Sequence, residues 1–392
     1  MHAARAAAPA LPASRRRELA ELRIIAQGLV DHGDGATPFA TPAEVAAHLG
    51  CAQGQHLGGV RSALALRLHP DAAAGDGDGD ARSRAVAAAF ADGSLVRGYP
   101  MRGTLFATAA DDLEWMTALT RERQLAGAAK RRAEHGLDDA LLERIAEASR
   151  AALEAGGGAL GRDALIAALA ERGIVLEGGQ RYHALYTLIV QGVLAYGQVS
   201  GGEALVVDAA RHLPPGGSLE SRFGGDEDAA IAAWLRRYLV GHGPATLRDF
   251  HWWTKLPLGR VRRVEPVATR GLEHYGEDAL GEALQGPPGL RERRDLLDGG
   301  AGVGRLLPPF DEVVLGYPDR DLIVAAEHRT RIVPGGNGVF PPTAHRRGTV
   351  VGLWRTAGTG ARRRLELEGF DALPAVAVRE FERAFADYPH PV

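Results

Sequence analysis

The segment from about Arg162 to Asp208 constrains the fold most, because its apolar periodicity changes from helical to strand-like within a short distance. RDALIAALAERG predicts an amphipathic helix that ends at Gly173, and QRYHALYTLIVQGVL predicts a second one. LAYGQVSGGEALVVD then predicts a hairpin that turns at Ser200-Gly201-Gly202. Two helices followed by a small hairpin are typical of a winged helix-turn-helix, which places its second helix in the DNA major groove. A generic helical subdomain remains the alternative.

Two other stretches follow a similar order. In the N-terminal third, Thr41 and Glu44 predict a capping box before a helix that ends at Gly50, and SLVRGYPMRGTLFAT predicts a wing that turns near residues 101–103. A shorter copy runs from about Asp228 to Val267, with Thr246 as a helix cap. We therefore predict an α+β, mainly α fold built from three tandem winged helix-turn-helix modules. Their expected bounds are residues 1–130, 131–215 and 225–275.

The pattern differs in the C-terminal region, expected at residues 300–392 after a Gly/Pro-rich stretch between Gly281 and Gly304. Five short runs from Leu306 to Phe370 alternate in polarity between glycines and prolines, which predicts a small β-sheet or barrel. A terminal helix is expected from Pro374 to Ala386, since proline suits a first helical turn. The runs are DLIVAA, RTRIVP, GVFPPTAHRRG, TVVGLWRT and RRLELEGF.

Composition narrows the class of protein. The 392 residues carry a formal net charge of −3, so any positive surface for a nucleic acid must be local. No apolar run of about 18 residues predicts a membrane span, and the N-terminus lacks the apolar core of a secretory signal. The single cysteine, Cys51, excludes an internal disulfide framework. We expect a monomer in the cytoplasm, away from membranes.

The motif search predicts no cofactor and no metal. DGDGDARSR resembles the start of a calcium loop, but Ala81 and Ala87 stand where such a loop needs glycine and glutamate, so a calcium site is not predicted. No phosphate-binding loop, dinucleotide motif or zinc helix occurs. Lys130 and Lys255 are the only lysines, which argues against a lyase that attacks a sugar through an amine.

Six segments, taken in chain order, resemble the AlkZ-like DNA glycosylase family, also described as winged-helix DNA-binding domain proteins. No single segment is highly specific, but their order and spacing are. The segments are CAQGQHLGGVRSALALRL at 51–68, YPMRGTLFATAADDLEWM at 99–116, RYHALYTLIVQGVLAYG at 181–197, GPATLRDFHWWTKLP at 243–257, LLPPFDEVVLGYPDRD at 306–321, and GNGVFPPT with GLWR at 336–355.

This resemblance implies three winged-helix modules, a C-terminal β domain, and removal of alkylated purines from double-stranded DNA, in some relatives from interstrand cross-links. The family's catalytic signature is Gln-x-Gln or Gln-x-Asp, which Gln53-Gly54-Gln55 matches in its first form. Relatives often have histidine where this chain has Phe106, so any role of that histidine is absent or moved.

Glutamines suit a reaction whose leaving group is already activated. A purine alkylated at N7 or N3 is cationic, so the base needs no proton to depart, and the enzyme's task is to hold a water and stabilise the sugar cation. A glutamine side chain accepts and donates hydrogen bonds, so Gln53 and Gln55 can position that water if the backbone is extended or looped. The alternative is that Gln53 and Gln55 are solvated loop residues without a catalytic role, and that His56 is an ordinary surface histidine.

The expected DNA contacts lie beside this loop, in the wing and on the recognition helix. For insertion into the groove we name Tyr99, Met101 and Arg102, although Met101 equally suits a core position. For phosphates we name Arg61, Arg67, Arg102 and Arg181. Of the neighbours Trp252 and Trp253, at most one can face DNA.

Two other function classes stay open. One is a DNA-binding regulator that uses the same modules without catalysis. The other is a partner-binding protein, which the nearly neutral charge favours. Steep salt dependence of DNA binding separates the second from the rest.

Overall fold

The computed structural model describes residues 11–30, 39–69, 79–297, 303–336 and 338–391. The calcium-like motif and the Gly281–Gly304 stretch lie partly outside these ranges. The chain divides into two compact units. The central unit comprises Phe39–Ile231, Thr254–Leu256 and Pro389–Val392, and the terminal unit comprises Met1–Pro38, Ala232–Trp253 and Pro257–Tyr388. None of the helices in the described ranges combines the length and apolar character needed to cross a bilayer.

The elements are numbered here in chain order. The α-helices of the described residues are α1 (Ala13–Ala26), α2 (Pro42–His48), α3 (Leu57–Ala65), α4 (Gly79–Ala91), α5 (Ala110–Glu134), α6 (Asp139–Ala155), α7 (Arg162–Glu171), α8 (Gly179–Val190), α9 (Ala209–His212), α10 (Leu219–Phe223), α11 (Glu227–His242), α12 (Leu247–Thr254), α13 (Leu258–Ala268), α14 (Glu312–Leu315), α15 (Arg329–Ile332) and α16 (Ala375–Ala386). The strands are β1 (Ala52–Gln53), β2 (Leu95–Met101), β3 (Thr104–Ala109), β4 (Ala159–Leu160), β5 (Leu194–Ser200), β6 (Glu203–Asp208), β7 (Glu273–Glu277), β8 (Ala283–Gly286), β9 (Gly304–Leu307), β10 (Thr343–Arg346), β11 (Thr349–Ala357) and β12 (Arg364–Gly369).

A six-stranded antiparallel sheet organises the central unit, in the order β1-β3-β2-β5-β6-β4. Both predicted hairpins are present. Met101 pairs with Thr104 across the first turn, and Ser200 pairs with Glu203 across the second. Strands β2 and β5 meet at the pair Arg97 and Tyr196, so the two hairpins belong to one sheet.

The helices before the second hairpin bury the predicted apolar faces. Leu165 and Leu169 of α7 are fully buried, and Leu185 and Leu188 of α8 are nearly so. The sequence analysis did not predict α6, whose Leu142, Ile145 and Leu153 pack into the same core. This repeat therefore has three helices before its hairpin, with α6 completing the cover of the core.

The first repeat begins with the predicted capping box. The backbone nitrogen of Glu44 donates to Oγ1 of Thr41 at 3.2 Å, and the backbone nitrogen of Thr41 donates to Oε2 of Glu44 at 2.9 Å. Helices α2, α3 and α4 bury a separate cluster that includes Val45, Leu64 and Phe90. The capping box thus sets where the first helix of this cluster starts.

The terminal unit contains a further run of helices and a hairpin. Thr246 caps α12 as predicted, because its Oγ1 accepts from the backbone nitrogen of Asp249 at 3.1 Å. Trp253 has no exposed surface while Trp252 is partly exposed, as expected for neighbours on a helix. The Gly/Pro-rich stretch that begins at Gly281 contains a strand that was not predicted. Strand β8 starts at Ala283 and pairs with β7.

The C-terminal strands form an open sheet in the order β12-β11-β10-β9, so the sheet alternative holds and the barrel does not. Two predicted strands were wrong. DLIVAA forms turns, and RTRIVP contains α15, whose Ile332 packs with Ile323 and Val324 in a buried cluster. Short apolar runs do not distinguish a strand from a buried turn or helix. Helix α16 starts after Pro374, as predicted.

We predict that Thr41→Ala lowers the free energy of unfolding of the central unit by about 1 kcal/mol, because the backbone nitrogen of Glu44 loses its acceptor, Oγ1 of Thr41. Urea unfolding measures the change. Thr41→Ser keeps the hydroxyl and serves as the matched control. Equal destabilisation by both variants would show that the methyl group, and not the cap, matters.

Candidate active site

The Gln-Gly-Gln segment lies where a strand passes into a helix. Gln53 ends β1 opposite Phe106 of β3, and the backbone nitrogen of Gly54 donates to the carbonyl oxygen of Leu105 at 2.8 Å. His56 then caps α3, its Nδ1 accepting from the backbone nitrogen of Gly59 at 2.8 Å. The backbone is therefore extended and looped, as predicted, and His56 has a capping role.

The two glutamine side chains lie in different surroundings. Gln53 is only 8% exposed, and its Oε1 accepts from the backbone nitrogen of Gln55 at 3.3 Å. Gln55 is exposed, and its Oε1 accepts from the backbone nitrogen of Leu105 at 3.4 Å. Gln53 thus supports the loop in this conformation, whereas Gln55 presents its side chain to solvent.

The close approach of the loop to β3 depends on Gly54. A Cβ built on Gly54 would lie 3.0 Å from the backbone nitrogen of Ala107 and 3.0 Å from the carbonyl carbon of Phe106. This spacing is tighter than nine in ten contacts of real Cβ atoms, so the backbone of β3 or of the loop would have to shift. Glycine at this position therefore allows the loop to lie flat against the strand.

A buried arginine holds the same loop from the other side. Arg97 of β2 is 6% exposed, and its Nη2 donates to the carbonyl oxygen of Gly54. Burial lowers the pKa of the Arg97 guanidinium, while the nearby Tyr196 and Tyr99 act in the opposite direction. Arg97 was not predicted as a site residue, although a lone charged residue within the apolar strand SLVRGYPM is a usable signal.

The wing turn is held by a glutamine of α5. Arg102 and Gly103 have φ values of 56° and 67°, as a tight type I′ hairpin turn requires. The backbone nitrogen of Gly103 donates to Oε1 of Gln124 at 3.1 Å, and Nε2 of Gln124 donates to the carbonyl oxygen of Tyr99 at 2.8 Å. Arg102 is partly exposed, with its Cζ 5.3 Å from the centre of the Phe106 ring. Gln124 was also missed.

Three expected DNA contacts are core residues. Met101 has no exposed surface, and Tyr99 packs edge-to-face on Tyr186 with 4.8 Å between ring centres. Arg67 is fully buried, and its Nη1 donates to the carbonyl oxygen of Ala63 at 2.8 Å. We therefore withdraw Tyr99, Met101 and Arg67 as DNA contacts, because none of these side chains reaches the surface.

The other three expected contacts differ in exposure. Arg61 of α3 is 5% exposed, and burial lowers its pKa, so it offers little surface to DNA in this conformation. Arg181 of α8 is exposed, and its Nε donates to the carbonyl oxygen of Leu176 at 2.9 Å. Arg102 and Arg181 are thus the two that keep accessible surface, and they stay predictions.

The described residues contain no group of three or more histidine, cysteine, aspartate or glutamate side chains arranged to hold a metal ion. The chemistry available at the loop is hydrogen bonding by two amides, supported by one buried cation. This arrangement can orient a water or a polar group against the exposed amide of Gln55.

A profile of the family described as DNA glycosylase AlkZ-like matches residues 46–390 of the chain, which include the whole loop. The chain belongs to the AlkZ-like family. Within it, the chain is 28% identical over 181 residues to the interstrand DNA cross-link repair glycosylase of Streptomyces sahachiroi. That alignment spans 43% of the chain and 45% of the relative, less than half of either.

The fold of the AlkZ-like chain is similar to a solved structure, the DNA glycosylase AlkZ of Streptomyces sahachiroi. The TM-score is 0.66 at 22% sequence identity, and the superposition covers 96% of both chains. At that identity the likeness shows the shared fold.

We predict that Gly54→Ala destabilises the AlkZ-like chain by about 1–3 kcal/mol, because the new methyl group meets the backbone of β3. Gly58→Ala is the matched control, since its Cβ would make ordinary contacts at 3.4 Å with His56 and Pro391. Urea unfolding of both variants measures the difference. If Gly54→Ala is as stable as Gly58→Ala, the loop does not need its close approach to β3.

Proposed function

We propose that this chain is a monofunctional DNA glycosylase that hydrolyses the N-glycosidic bond of alkylated purines in duplex DNA. The observation that carries the proposal is the Gln-Gly-Gln loop, which holds one amide exposed, one amide buried, and the intervening carbonyl fixed by Arg97. Membership of the AlkZ-like family supports the reaction class.

In this mechanism Gln55 holds the attacking water. An alkylated purine leaves without protonation, so the barrier lies in bringing a water to C1′ while the sugar gains positive charge. The amide oxygen of Gln55 accepts a hydrogen bond from that water and leaves the lone pair of the water directed at C1′. The new C1′–O bond replaces the C1′–N bond, the purine leaves as a neutral base, and the surplus proton of the water passes to solvent. Release of Oε1 from the 3.4 Å contact with Leu105 costs little, because that hydrogen bond is long.

In this mechanism Gln53 positions Gln55. Its Oε1 holds the backbone nitrogen of Gln55, so it sets the direction in which Gln55 leaves the strand. Arg97 holds the carbonyl between them, which prevents the loop from rotating as DNA enters. The pair thus combines one group that contacts water with one that fixes its position.

We further propose that three winged-helix modules bind the duplex. The first two are the helix-and-hairpin repeats of the central unit, of which the first starts at Phe39 and not at residue 1, because α1 belongs to the terminal unit. The third comprises α11 to α13 with the β7–β8 hairpin, extending to Gly286. The third module was expected to end at residue 275, but its hairpin continues to Gly286. The chain acts as a monomer, and the C-terminal sheet with α16 forms the domain after it.

The lesion class follows from the proposed chemistry. Since glutamines supply no strong acid, substrates are purines made cationic by alkylation, including bulky adducts and cross-links. The relative from Streptomyces sahachiroi is named for interstrand cross-link repair, which supports cross-links as one substrate.

We predict that Gln55→Ala lowers the rate of base release from an N7-methylguanine duplex by at least about a hundredfold, because the water loses its positioning group. Gln53→Ala lowers the rate as well, through misplacement of Gln55. Alkali cleavage at the abasic sites measures product. Gln55→Glu keeps the acceptor oxygen and retains activity at neutral pH.

DNA binding by the same variants is the control. Unchanged affinity with lost product supports a catalytic role for the glutamines. No product from the wild-type chain on several alkyl adducts would favour the alternative, a DNA-binding regulator without catalysis. Strand breaks that appear before alkali treatment would contradict the monofunctional part of the proposal.

A further inference from the structure

A cleft of about 390 Å³ lies in the central unit, apart from the Gln-Gly-Gln loop. Its walls are the wing turn, the middle of α5, the start of α8 and the segment at Thr254 and Lys255. This volume lies in the range of small-molecule sites in proteins. The cationic and tyrosine side chains that line the cleft are Arg102, Arg123, Arg131, Tyr182, Tyr186 and Lys255.

The cleft concentrates positive charge. Four cationic side chains line it, and no carboxylate does among the lining residues of the described chain. Burial lowers the pKa of Lys255, and the neighbouring Arg102 and Arg123 lower it further. Lys255 therefore lies within the electrostatic reach of two other cations, Arg102 and Arg123. An anion bound among them relieves this repulsion.

Two of these cations stand on a strained backbone. Arg102 has φ of 56° and Lys255 has φ of 63°, in the left-handed region that side chains other than glycine rarely adopt. Arg123 braces the second of them, because its Nη1 donates to the carbonyl oxygen of Lys255 at 2.8 Å. Strain of this kind at non-glycine residues is concentrated at ligand sites.

The cleft also presents aromatic surface. Tyr182 is 51% exposed and stacks on Tyr186, with 6.1 Å between ring centres and 19° between ring planes. Burial raises the pKa of Tyr186 to about 12, so its phenol stays neutral beside the cations. A neutral aromatic wall next to clustered cations fits a ligand with both an anionic group and a planar ring, which is the chemistry of a nucleotide.

The wing connects the cleft to the catalytic loop. Arg102 lies at the turn of the β2–β3 hairpin, and Leu105, three residues along β3, donates its backbone N–H to Gln55. A DNA chain bound at the loop therefore has its neighbouring nucleotides close to this turn.

We propose that the cleft binds one nucleotide of the DNA substrate, with its phosphate among Lys255, Arg102 and Arg123 and its base on the ring of Tyr182. This inference rests on the proposed function for the identity of the polymer. It assigns a binding site and not a catalytic group.

Equilibrium binding of a fluorescein-labelled undamaged duplex, measured by anisotropy over a range of salt, tests the phosphate part. Lys255→Gln weakens binding and reduces the slope of log affinity against log salt by about 0.9, the loss of one phosphate contact. Lys255→Arg keeps both at wild-type values. An unchanged slope and affinity in Lys255→Gln would overturn the proposal.

The chain supplies a matched control in its other lysine. Lys130 lies on α5 with its side chain 88% exposed and 3.9 Å from Glu134, and it does not line the cleft. Lys130→Gln changes the formal charge equally, so it should leave the slope unchanged. An equal loss in both variants would show a general charge effect and contradict a defined site. Thermal unfolding confirms that each variant is folded.

The base part is tested with a duplex that carries one unpaired nucleotide. Tyr182→Leu lowers affinity for this probe by on the order of tenfold, and Tyr182→Phe, which keeps the ring, does not. If Tyr182→Leu binds as the wild type does, the cleft holds a phosphate alone and the nucleotide assignment is wrong.

Free deoxyadenosine monophosphate tests whether the cleft binds a nucleotide of the DNA chain or a free mononucleotide. It should compete with the duplex for the wild-type chain and lose this effect in Lys255→Gln. Binding of the mononucleotide that depends on Lys255 but does not compete with DNA would assign the cleft to a free nucleotide and overturn the proposal. These binding assays need no turnover, so a chain that releases no base can still confirm the cleft, and an active chain can still refute it.

Discussion

Two features of the central unit depend on Arg97: the joining of its two hairpins and the support of the Gln-Gly-Gln loop. Its backbone pairs with Tyr196 at the point where β2 meets β5, so it joins two hairpins into one sheet. Its guanidinium donates to the carbonyl oxygen of Gly54, so it also supports the Gln-Gly-Gln loop. A charged group this deeply buried is tolerated only because it is hydrogen-bonded and lies beside the ring of Tyr196. The position of the loop and the joining of the repeats thus share one residue.

The Gln-Gly-Gln loop places two chemically identical side chains in different surroundings. Gln53 and Gln55 have the same functional group, yet Gln53 is buried and supports the loop, whereas Gln55 is exposed. An amide suits both, since it can accept and donate without a change of charge.

The sequence predicted local structure well wherever periodicity and turn residues agreed. The α7–α8 pair, both hairpins of the central unit and the Thr41 cap followed from pattern alone. Helix α6 and the β7–β8 hairpin were missed although the sequence marks both: Asp138 caps α6 and Gly156 ends it, and Asp278 and Gly281 lie in the hairpin turn. The Gln-Gly-Gln loop was found through the family resemblance. Tyr99, Met101 and Arg67 were misplaced because a strand or helix with both faces buried shows no polarity contrast.

The joined sheet bears on how such a protein can change over evolutionary time. Removal of either repeat would leave β2 or β5 with an open hydrogen-bonding edge in the middle of the unit, and exposed edges invite aggregation. Insertion of an extra repeat between them would break the same contact. We therefore expect the two repeats to be kept together, with diversification in surface loops and side chains and not in repeat number.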